Sequence, residues 1–493
     1  MEKQGGNLYR KLPQLGELLS RAEVAKLAQA YSRALVMDAA RAVLAHLREE
    51  VRGAQHTETS LSAIDSELPA RIEKELRCRL RPSLRKVINA TGVILQTNLG
   101  RAPLSEQAIE AITQVARGYC NLEMDWSTGE RSRRDVHAEN LILDLLALRT
   151  GAAMCSLQET RGVAVVNNCA AATFLALNTL ADGGEVIVSR GELVEIGGGF
   201  RVPDILRKSG AALREVGTTN RTRIADYAEA ISPATRLILR VHRSNFRIEG
   251  FTEQPTLREV IELGREASIP VFEDQGSGCV VALNEFGILG ESSWIASATS
   301  EVDLVSASGD KLLGGPQCGI LTGRRDIIER IRSNPLFRAF RVDKLTYAAL
   351  QATLLAYIAG EEHSIPVVAM MRAPEERILQ RCESYVKALA GCRVVAGVVP
   401  TRSVVGGGTT PGATLPSFAV SLRCEEMSEG ALAALLRHME PPVIARTVQG
   451  QVLLDLRTVQ DTEDAALIRL LQSAFAQQHL PVPLGAEACE GDA

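Results

Sequence analysis

Residues 150–333 alternate short runs of aliphatic and β-branched residues with stretches of helical pattern, and this alternation constrains the fold more than any other feature. The strand-like runs read VAVVNN, EVIVSR, RLILRVH, IPVFED, DLVSAS and CGILTG. Short β-rich runs that alternate with helices are typical of a mostly parallel sheet covered by those helices. The sequence therefore predicts an α/β large domain.

The segments on either side of this region predict two further domains. Residues 13–52 carry apolar residues at helical spacing, and the polar stretch QHTETSLSAIDSELPA (55–70) indicates a linker or a helix start. A long helical pattern after residue 345 is followed by RVVAGVV, SFAVSL and QVLLDLRTV, interleaved with helices. We predict an N-terminal helical domain with its linker (1–70), a large domain (71–345) and a small α+β C-terminal domain (346–493).

Composition excludes several classes of protein. The 493 residues are 46% hydrophobic with a net charge of -4, as in ordinary globular domains. The ten cysteines form no CxxC pair and no Cys/His cluster, so we expect a reduced cytoplasmic setting and no metal. Neither a signal peptide nor an apolar run of the ~18 residues that a membrane span requires is visible.

Positive charge is concentrated near the N-terminus. Residues 1–90 contain 16 Lys and Arg against 11 Asp and Glu, and seven of these cations lie between Arg71 and Lys86. Such a stretch is able to meet nucleic-acid phosphates, but it is also compatible with a solvated helix face followed by a linker.

The stretch VSASGDKLLGGPQCG (305–319) places one lysine, Lys311, after a strand and ahead of a glycine pair. Ligand groups gather at the carboxyl ends of the strands in such a sheet. One other strand ends at Asp274, and another ends at Asn168 directly before a helix start. Pyridoxal phosphate needs a lysine that forms a Schiff base with its aldehyde and a carboxylate that keeps its ring nitrogen protonated. Lys311 and Asp274 have that order and spacing.

The phosphate of such a cofactor requires a helix N-terminus whose free N–H groups point at the anion. The small residues Cys169 and Ala170, which follow Asn168, allow that approach, and Ser308 adds a hydroxyl. Each feature alone has an ordinary alternative: a solvated turn lysine, a carboxylate that caps a helix, alanines at a helix start. Their order within one α/β pattern favours a pyridoxal-phosphate site.

Five blocks of the sequence resemble one known family. They read RKVINATGVILQTNLGRAPLS (85–105), SRGELVEIGGGFRVPDI (189–205), EVGTTNRT (215–222), VHRSNFRIEGFTE (241–253) and SASGDKLLGGPQCG (306–319). In content and order they resemble bacterial selenocysteine synthases, the L-seryl-tRNA(Sec) selenium transferases, over nearly the whole chain. The resemblance implies a pyridoxal-phosphate fold of type I, similar to aspartate aminotransferase, in a cytoplasmic homodecamer built as a pentamer of dimers.

The resemblance also implies the reaction and its residues. Seryl-tRNA(Sec) is converted to selenocysteyl-tRNA(Sec) by β-elimination of water to aminoacrylyl-tRNA, followed by addition of selenium from selenophosphate. Lys311 carries the cofactor and removes the Cα proton, and Asp310 is the proton donor to the departing hydroxide. The resemblance assigns the selenium-donor anion to Arg101, Arg338 and Arg341. The N-terminal domain grips the tRNA; neither DNA nor a membrane is an expected partner.

Two alternatives stay open at this point. One is a pyridoxal-phosphate enzyme that eliminates or replaces a β-substituent on a free amino acid or amino sugar acid. The other is a non-catalytic RNA-binding scaffold with the same fold. The N-terminal helical unit disfavours the first, and the intact set of Asp274, Asp310 and Lys311 disfavours the second. The sequence assigns no role to His137 or His242.

Overall fold

The structure, a computed structural model, describes residues 12–52, 58–197 and 199–476. Contacts divide the chain into two units, residues 1–86 and 87–493, and each is described by itself.

The first unit is helical. Its described helices are α1 (Leu15–Ser20), α2 (Ala22–Ala30), α3 (Arg33–Arg52) and α4 (Glu58–Arg79). Their apolar faces enclose a core that includes Leu18, Val24, Val36, Leu44, Leu47, Leu68, Ile72 and Leu76. Residues 1–11 and 53–57 of the predicted N-terminal domain lie outside the described residues.

Helix α4 continues through residue 70, where the sequence pattern indicated a linker or a helix start. Leu68, Ile72 and Leu76 recur at a spacing of four and are fully buried, so this apolar face holds the helix together past Pro69. Pro69 has no N–H for the carbonyl of Asp65. The Arg21 guanidinium donates to that carbonyl at 3.0 Å and to the Asp65 carboxylate at 2.9 Å, which replaces the missing helical bond.

The second unit alternates strands and helices as the sequence predicts. The strands are β1 (Ile88–Asn89), β2 (Val93–Leu95), β3 (Arg161–Val166), β4 (Glu185–Ser189), β5 (Glu195–Ile196), β6 (Phe200–Arg201), β7 (Ala212–Val216), β8 (Thr235–Val241), β9 (Val271–Gly276), β10 (Leu304–Ser308), β11 (Gly319–Arg324), β12 (Val395–Gly406), β13 (Thr414–Arg423), β14 (Val443–Ile444), β15 (Arg446–Val448) and β16 (Gln451–Asp455). The helices are α5 (Glu106–Ala116), α6 (Val136–Thr150), α7 (Met154–Thr160), α8 (Cys169–Ala181), α9 (Val202–Lys208), α10 (Ile224–Ala230), α11 (Leu257–Ala267), α12 (Trp294–Thr299), α13 (Arg325–Ser333), α14 (Pro335–Ala339), α15 (Lys344–Ile358), α16 (Pro366–Arg372), α17 (Glu375–Ala388), α18 (Glu429–Arg437) and α19 (Asp464–Ala474).

Seven strands form the large sheet in the order β3-β11-β10-β9-β8-β4-β7. All neighbours are parallel except β11, which runs antiparallel to both β10 and β3. Alternate residues of each strand point to opposite faces, so in β3 Val163 joins one hydrophobic core and Ala164 joins the other. Helices cover both faces, and the predicted mostly parallel sheet is confirmed.

A smaller sheet has the order β15-β16-β13-β12-β2. Its long hairpin β12–β13 is antiparallel, whereas β2 joins β12 in parallel from the start of the unit. Strand β1 pairs with β14 in the same way, Ile88 opposite Val443. The predicted small α+β region is therefore present, and it takes strands from the beginning of the second unit as well as from its end.

Helices α15 and α16 pack with the large sheet. Helix α15 contributes Tyr347, Leu350 and Leu354 to that core, and α16 contributes Val367. The core of the small sheet includes Ile88 from β1 and Ile378 from α17. The domain boundary at residue 346 stays a prediction.

Two features are absent from residues 12–52, 58–197 and 199–476. No helix among these residues is long and apolar enough to cross a bilayer. The same residues contain no group of three or more His, Cys, Asp and Glu side chains arranged to hold a metal ion.

Candidate active site

Three strand ends of the large sheet meet at one cavity of about 260 Å³. The parallel register sets Asp274 of β9 opposite Ser306 of β10 and opposite Val241 of β8, so their carboxyl ends lie side by side. The predicted residues that line the cavity are Arg101, Asn168, Cys169, Ala170, Asp274, Ser308 and Lys311. The remaining lining residues are Gly197, Val241, His242, Ser244, Gln275, Gly276 and Gln317.

Lys311 points its amino group into this cavity from the turn after β10. Its Nζ donates to the carbonyl oxygen of Gly408 at 2.8 Å, in the loop that follows β12. Burial lowers the pKa of the Lys311 amine, and the Asp274 and Asp310 carboxylates partly oppose that shift. More of the amine is therefore unprotonated near neutral pH than in an exposed lysine, which favours its action as a nucleophile or a base.

Asp274 is buried and held by hydroxyl groups. Ser306 Oγ donates to its Oδ1 at 2.7 Å and Thr173 Oγ1 donates to its Oδ2 at 3.0 Å. Within the described part of the chain, no lysine or arginine side chain forms an ion pair with this carboxylate by direct contact. A buried carboxylate that is oriented but lacks a cation is suited to a protonated ring nitrogen.

The N-terminus of α8 forms another wall of the cavity. Asn168 caps the helix, since its side chain accepts from the N–H of Ala171 at 2.8 Å. The N–H groups of Cys169 and Ala170, which have no carbonyl partner within the helix, are the ones available to an anion. A β-carbon at Gly319 would lie 2.2 Å from the Asn168 carbonyl oxygen, so only glycine lets β11 pack against this turn.

The cysteines near the site are inert. Burial raises the pKa of the Cys169 thiol to about 12, and its Sγ lies 3.6 Å from Asp274 Oδ1. Burial also raises the pKa of the Cys318 thiol. A thiol with so high a pKa is not the thiolate that sulfur or selenium chemistry requires.

Asp310 and Arg101 form an ion pair across 209 residues of sequence. Arg101 Nη1 donates to Asp310 Oδ2 at 2.7 Å, and the Asp310 side chain is only 9% exposed. Arg101 adopts a positive φ of 65°, directly after Gly100 at 91°. This tight turn brings the guanidinium to the cavity, so a cation and a carboxylate both stand beside Lys311.

Arg338 and Arg341 do not line this cavity. Helix α14 ends at Ala339, so Arg338 lies within this helix and Arg341 lies beyond it. Arg338 is exposed. Arg341 pairs through its backbone with Val166, and its Nη1 lies 3.5 Å from Glu123 Oε1.

Sequence reasoning assigns no role to two residues of the site, the lining residue His242 and the Lys311 partner Gly408. His242 follows β8 directly and its Nε2 lies 2.7 Å from Glu291 Oε2; the strand-end rule that found Asp274 applies equally to it. Gly408, the acceptor for Lys311, lies in a Gly-rich loop that the sequence marks only as a loop. Nothing local in the sequence points from that loop to the lysine.

These positions define a class of protein. The large sheet is mostly parallel with one antiparallel strand. A helix N-terminus lies at one strand end, and Asp274 and Lys311 lie at two others. This is the arrangement of a pyridoxal-phosphate enzyme of fold type I. A solved D-glucosaminate-6-phosphate ammonia-lyase has the same fold at a TM-score of 0.54, with 20% identity, covering 81% of this chain and 97% of that one.

The family follows from sequence comparison. The profile described as L-seryl-tRNA selenium transferase matches residues 87–460, and that of the selenocysteine synthase N terminal matches residues 9–48. The L-seryl-tRNA(Sec) selenium transferase of Aquifex aeolicus is 41% identical over 95% of this chain and 99% of its own length. That of Hyphomonas neptunium is 44% identical over 92% and 96%. The chain belongs to the L-seryl-tRNA selenium transferase family, and the resemblance of the five sequence blocks is confirmed.

Proposed function

We propose that this chain converts seryl-tRNA(Sec) to selenocysteyl-tRNA(Sec) with pyridoxal phosphate as cofactor. The observation that carries the proposal is the conjunction of an almost full-length match to these transferases with one cavity lined by Asp274 and Lys311, whose lining residue Arg101 is ion-paired with Asp310. The first alternative, an enzyme for a free amino acid or amino sugar acid, has only fold-level likeness in its favour. The scaffold alternative gives no reason for a buried lysine beside two carboxylates.

The cavity fits the cofactor group by group. Lys311 would bind the aldehyde, and Asp274 would pair with the ring nitrogen. The N-terminus of α8 and Ser308 would bind the phosphate. The fit rests on Asp274, a buried carboxylate whose visible partners are hydroxyl and thiol groups. When bound, pyridoxal phosphate draws electrons from the Cα of the amino acid joined to it.

The protein side chains then move protons. Lys311 Nζ takes the proton from Cα of the seryl group, since burial favours its neutral form. The Cβ–O bond of serine breaks and the hydroxyl leaves as water, with Asp310 as the proposed proton donor to that oxygen. The guanidinium of Arg101, which lines the cavity, holds the Asp310 carboxyl group by a contact of 2.7 Å.

Selenophosphate is the proposed selenium donor. Such a compact anion requires cationic partners, and guanidinium groups suit it because they bind oxyanions through two parallel hydrogen bonds. Arg101 lines the cavity and is the first candidate. Arg338 and Arg341 stay proposals from the family resemblance.

The helical unit of residues 1–86 is the proposed binding domain for the tRNA body. In α4 the cations Arg77 and Arg79 pair with Glu73 and Glu75 at 2.6 Å, so part of the positive charge is neutralised locally. Exposed pairs of this kind are weak and exchange readily for phosphate. A cytoplasmic decamer built as a pentamer of dimers completes the proposal.

The direct test supplies the holoenzyme with seryl-tRNA(Sec) and selenophosphate, then hydrolyses the ester and identifies the released amino acid. Selenocysteine is the expected product, and Lys311→Ala is the matched inactive control. Recovery of serine alone would contradict the function. Turnover of free serine with no change in seryl-tRNA(Sec) would favour the first alternative.

A further inference from the structure

A second and larger cavity, of about 730 Å³, adjoins the cofactor cavity. The two share Val241 and His242 as lining residues. The loop whose Gly408 carbonyl accepts from Lys311 continues into Pro411 and Thr414, which line the second cavity. The two spaces are therefore neighbours around one strand end and one loop.

Guanidinium groups enter this second cavity from two elements. Arg243 and Arg247 come from the loop after β8, and Arg402 comes from β12. Arg243 donates to the neutral amide oxygen of Gln254, and Arg402 Nε donates to Thr414 Oγ1 at 2.7 Å. Neither partner carries a charge, so the positive charge of both arginines remains available to an anion.

The other charged residues that line this cavity are Arg240, Glu273 and Glu291. Arg240 Nε donates to Glu192 Oε1 at 2.9 Å, and Glu291 is engaged by His242. Burial raises the pKa of the Glu273 carboxyl, which favours its neutral form. Arg247 has only an exposed pair with Glu249 at 3.5 Å.

An aromatic ring stands among these cations. Phe246 lies in the same loop as Arg243 and Arg247, lines the cavity, and is 36% exposed. An exposed aromatic ring between arginines is the combination that holds single-stranded nucleic acid, since bases stack on the ring and guanidinium groups take the phosphates. This loop lies in the block VHRSNFRIEGFTE, in which Val241, His242 and Ser244 line the cofactor cavity but Arg243, Phe246 and Arg247 do not.

We propose that the second cavity receives the single-stranded 3′ end of the tRNA, with Arg243, Arg247 and Arg402 at its phosphates and Phe246 against a base. The inference rests on the proposed function. The serine that enters the cofactor cavity is esterified to the terminal ribose, so the terminal nucleotides must occupy the space directly beside that cavity. The second cavity has the position, the charge and the stacking ring that they need.

The test measures binding of the holoenzyme to uncharged tRNA(Sec), either complete or lacking its three 3′-terminal nucleotides. For the wild type, truncation of the tRNA should weaken binding by on the order of tenfold, the effect of losing one stacked base. Two variants test the cavity: Phe246→Ala, and a triple variant that combines Arg243→Ala, Arg247→Ala and Arg402→Ala. Each variant should bind complete tRNA about as weakly as it binds truncated tRNA. Arg258→Ala, on the surface of α11 with its side chain 87% exposed, is the matched arginine control and should behave as the wild type.

Each outcome bears on the proposal. If tRNA truncation costs the variants as much affinity as it costs the wild type, the cavity does not hold the 3′ end; a truncation without effect on the wild type refutes it as well. Wild-type protein that binds no tRNA(Sec) at all would instead refute the proposed function. Unchanged visible absorbance of the bound cofactor verifies that each variant is folded, and the single change at the exposed Phe246 keeps the test valid if the triple variant does not fold.

Discussion

Gly408→Ala should displace the reactive amine while leaving the fold nearly intact. A β-carbon at this position would lie 3.0 Å from Lys311 Nζ and 3.3 Å from its Cε. The atoms it meets are the end of a flexible side chain, so the lysine yields rather than the backbone. Relief of these contacts requires the lysine end to move by a few tenths of an ångström. Because a displacement of about 1 Å at a reacting group costs on the order of a hundredfold in rate, we expect this smaller shift to lower turnover by roughly fivefold to tenfold.

The substitution also strains the backbone, and control variants distinguish this strain from the contact with Lys311. Gly408 has a φ of +77°, where alanine costs about 1 to 2 kcal/mol of folding free energy. Gly360 has nearly the same φ, +74°, with no atom near its β-position, so Gly360→Ala carries the strain without the contact. Gly407→Ala, whose β-carbon would meet only Thr97 at 3.9 Å, tests the loop itself.

The measurements are the thermal unfolding midpoint, the visible absorbance of bound cofactor and turnover of seryl-tRNA(Sec). Gly408→Ala and Gly360→Ala should lower the midpoint to similar extents, while only Gly408→Ala should lose turnover, by roughly fivefold to tenfold, and alter the absorbance. Equal turnover in these two variants would refute the claim that the Gly408 position sets the lysine.

Four further predictions follow from the same site. Lys311→Ala should lose turnover below detection and the cofactor adduct that borohydride fixes to the protein; a fixed adduct in the variant would place the reactive lysine elsewhere. Asp274→Asn should keep the fold, because an amide still accepts from Ser306, but should lose most turnover, and near-normal turnover would remove Asp274 from its role. Deletion of residues 1–86 should leave a cofactor-binding protein with much weaker, less salt-dependent tRNA binding by gel shift, and undiminished affinity would make this unit an assembly element instead. Because the folded-state pKa of Lys311 is depressed, the cofactor-free protein should gain stability as pH rises towards 10.5, and Lys311→Met should show less of this gain in urea unfolding.

Local sequence patterns were sufficient for the large sheet and its strand ends. Runs such as IPVFED and DLVSAS end where the structure places Asp274 and Ser308, because a buried strand and the turn after it are encoded by adjacent residues. Helix α4 was harder: Pro69 and its polar neighbours resemble a linker, and the compensating contact comes from Arg21, far away in sequence.

Contacts between distant segments account for the rest of what the sequence did not predict. Arg101 meets Asp310, Lys311 meets Gly408, and β2 pairs with β12, each across a long stretch of chain that carries no sign of the partner. Arg338 and Arg341 illustrate the opposite case. They lie three residues apart, but α14 stops at Ala339 and Arg341 pairs with Val166, so the two residues do not share a helix.

The interleaved small sheet has a consequence for synthesis on the ribosome. All seven strands of the large sheet lie between Arg161 and Arg324, so that layer is able to close while the last third of the chain is still being translated. Strands β1 and β2 are translated much earlier, but they pair with β14 and β12 and therefore cannot form these pairs until the later strands have been translated. Gly408 emerges in the same late segment. A nascent chain that ends before this segment would contain all strands of the large sheet, but Lys311 would lack its carbonyl partner. The Lys311 amine therefore gains this hydrogen bond only after almost a hundred further residues have been translated.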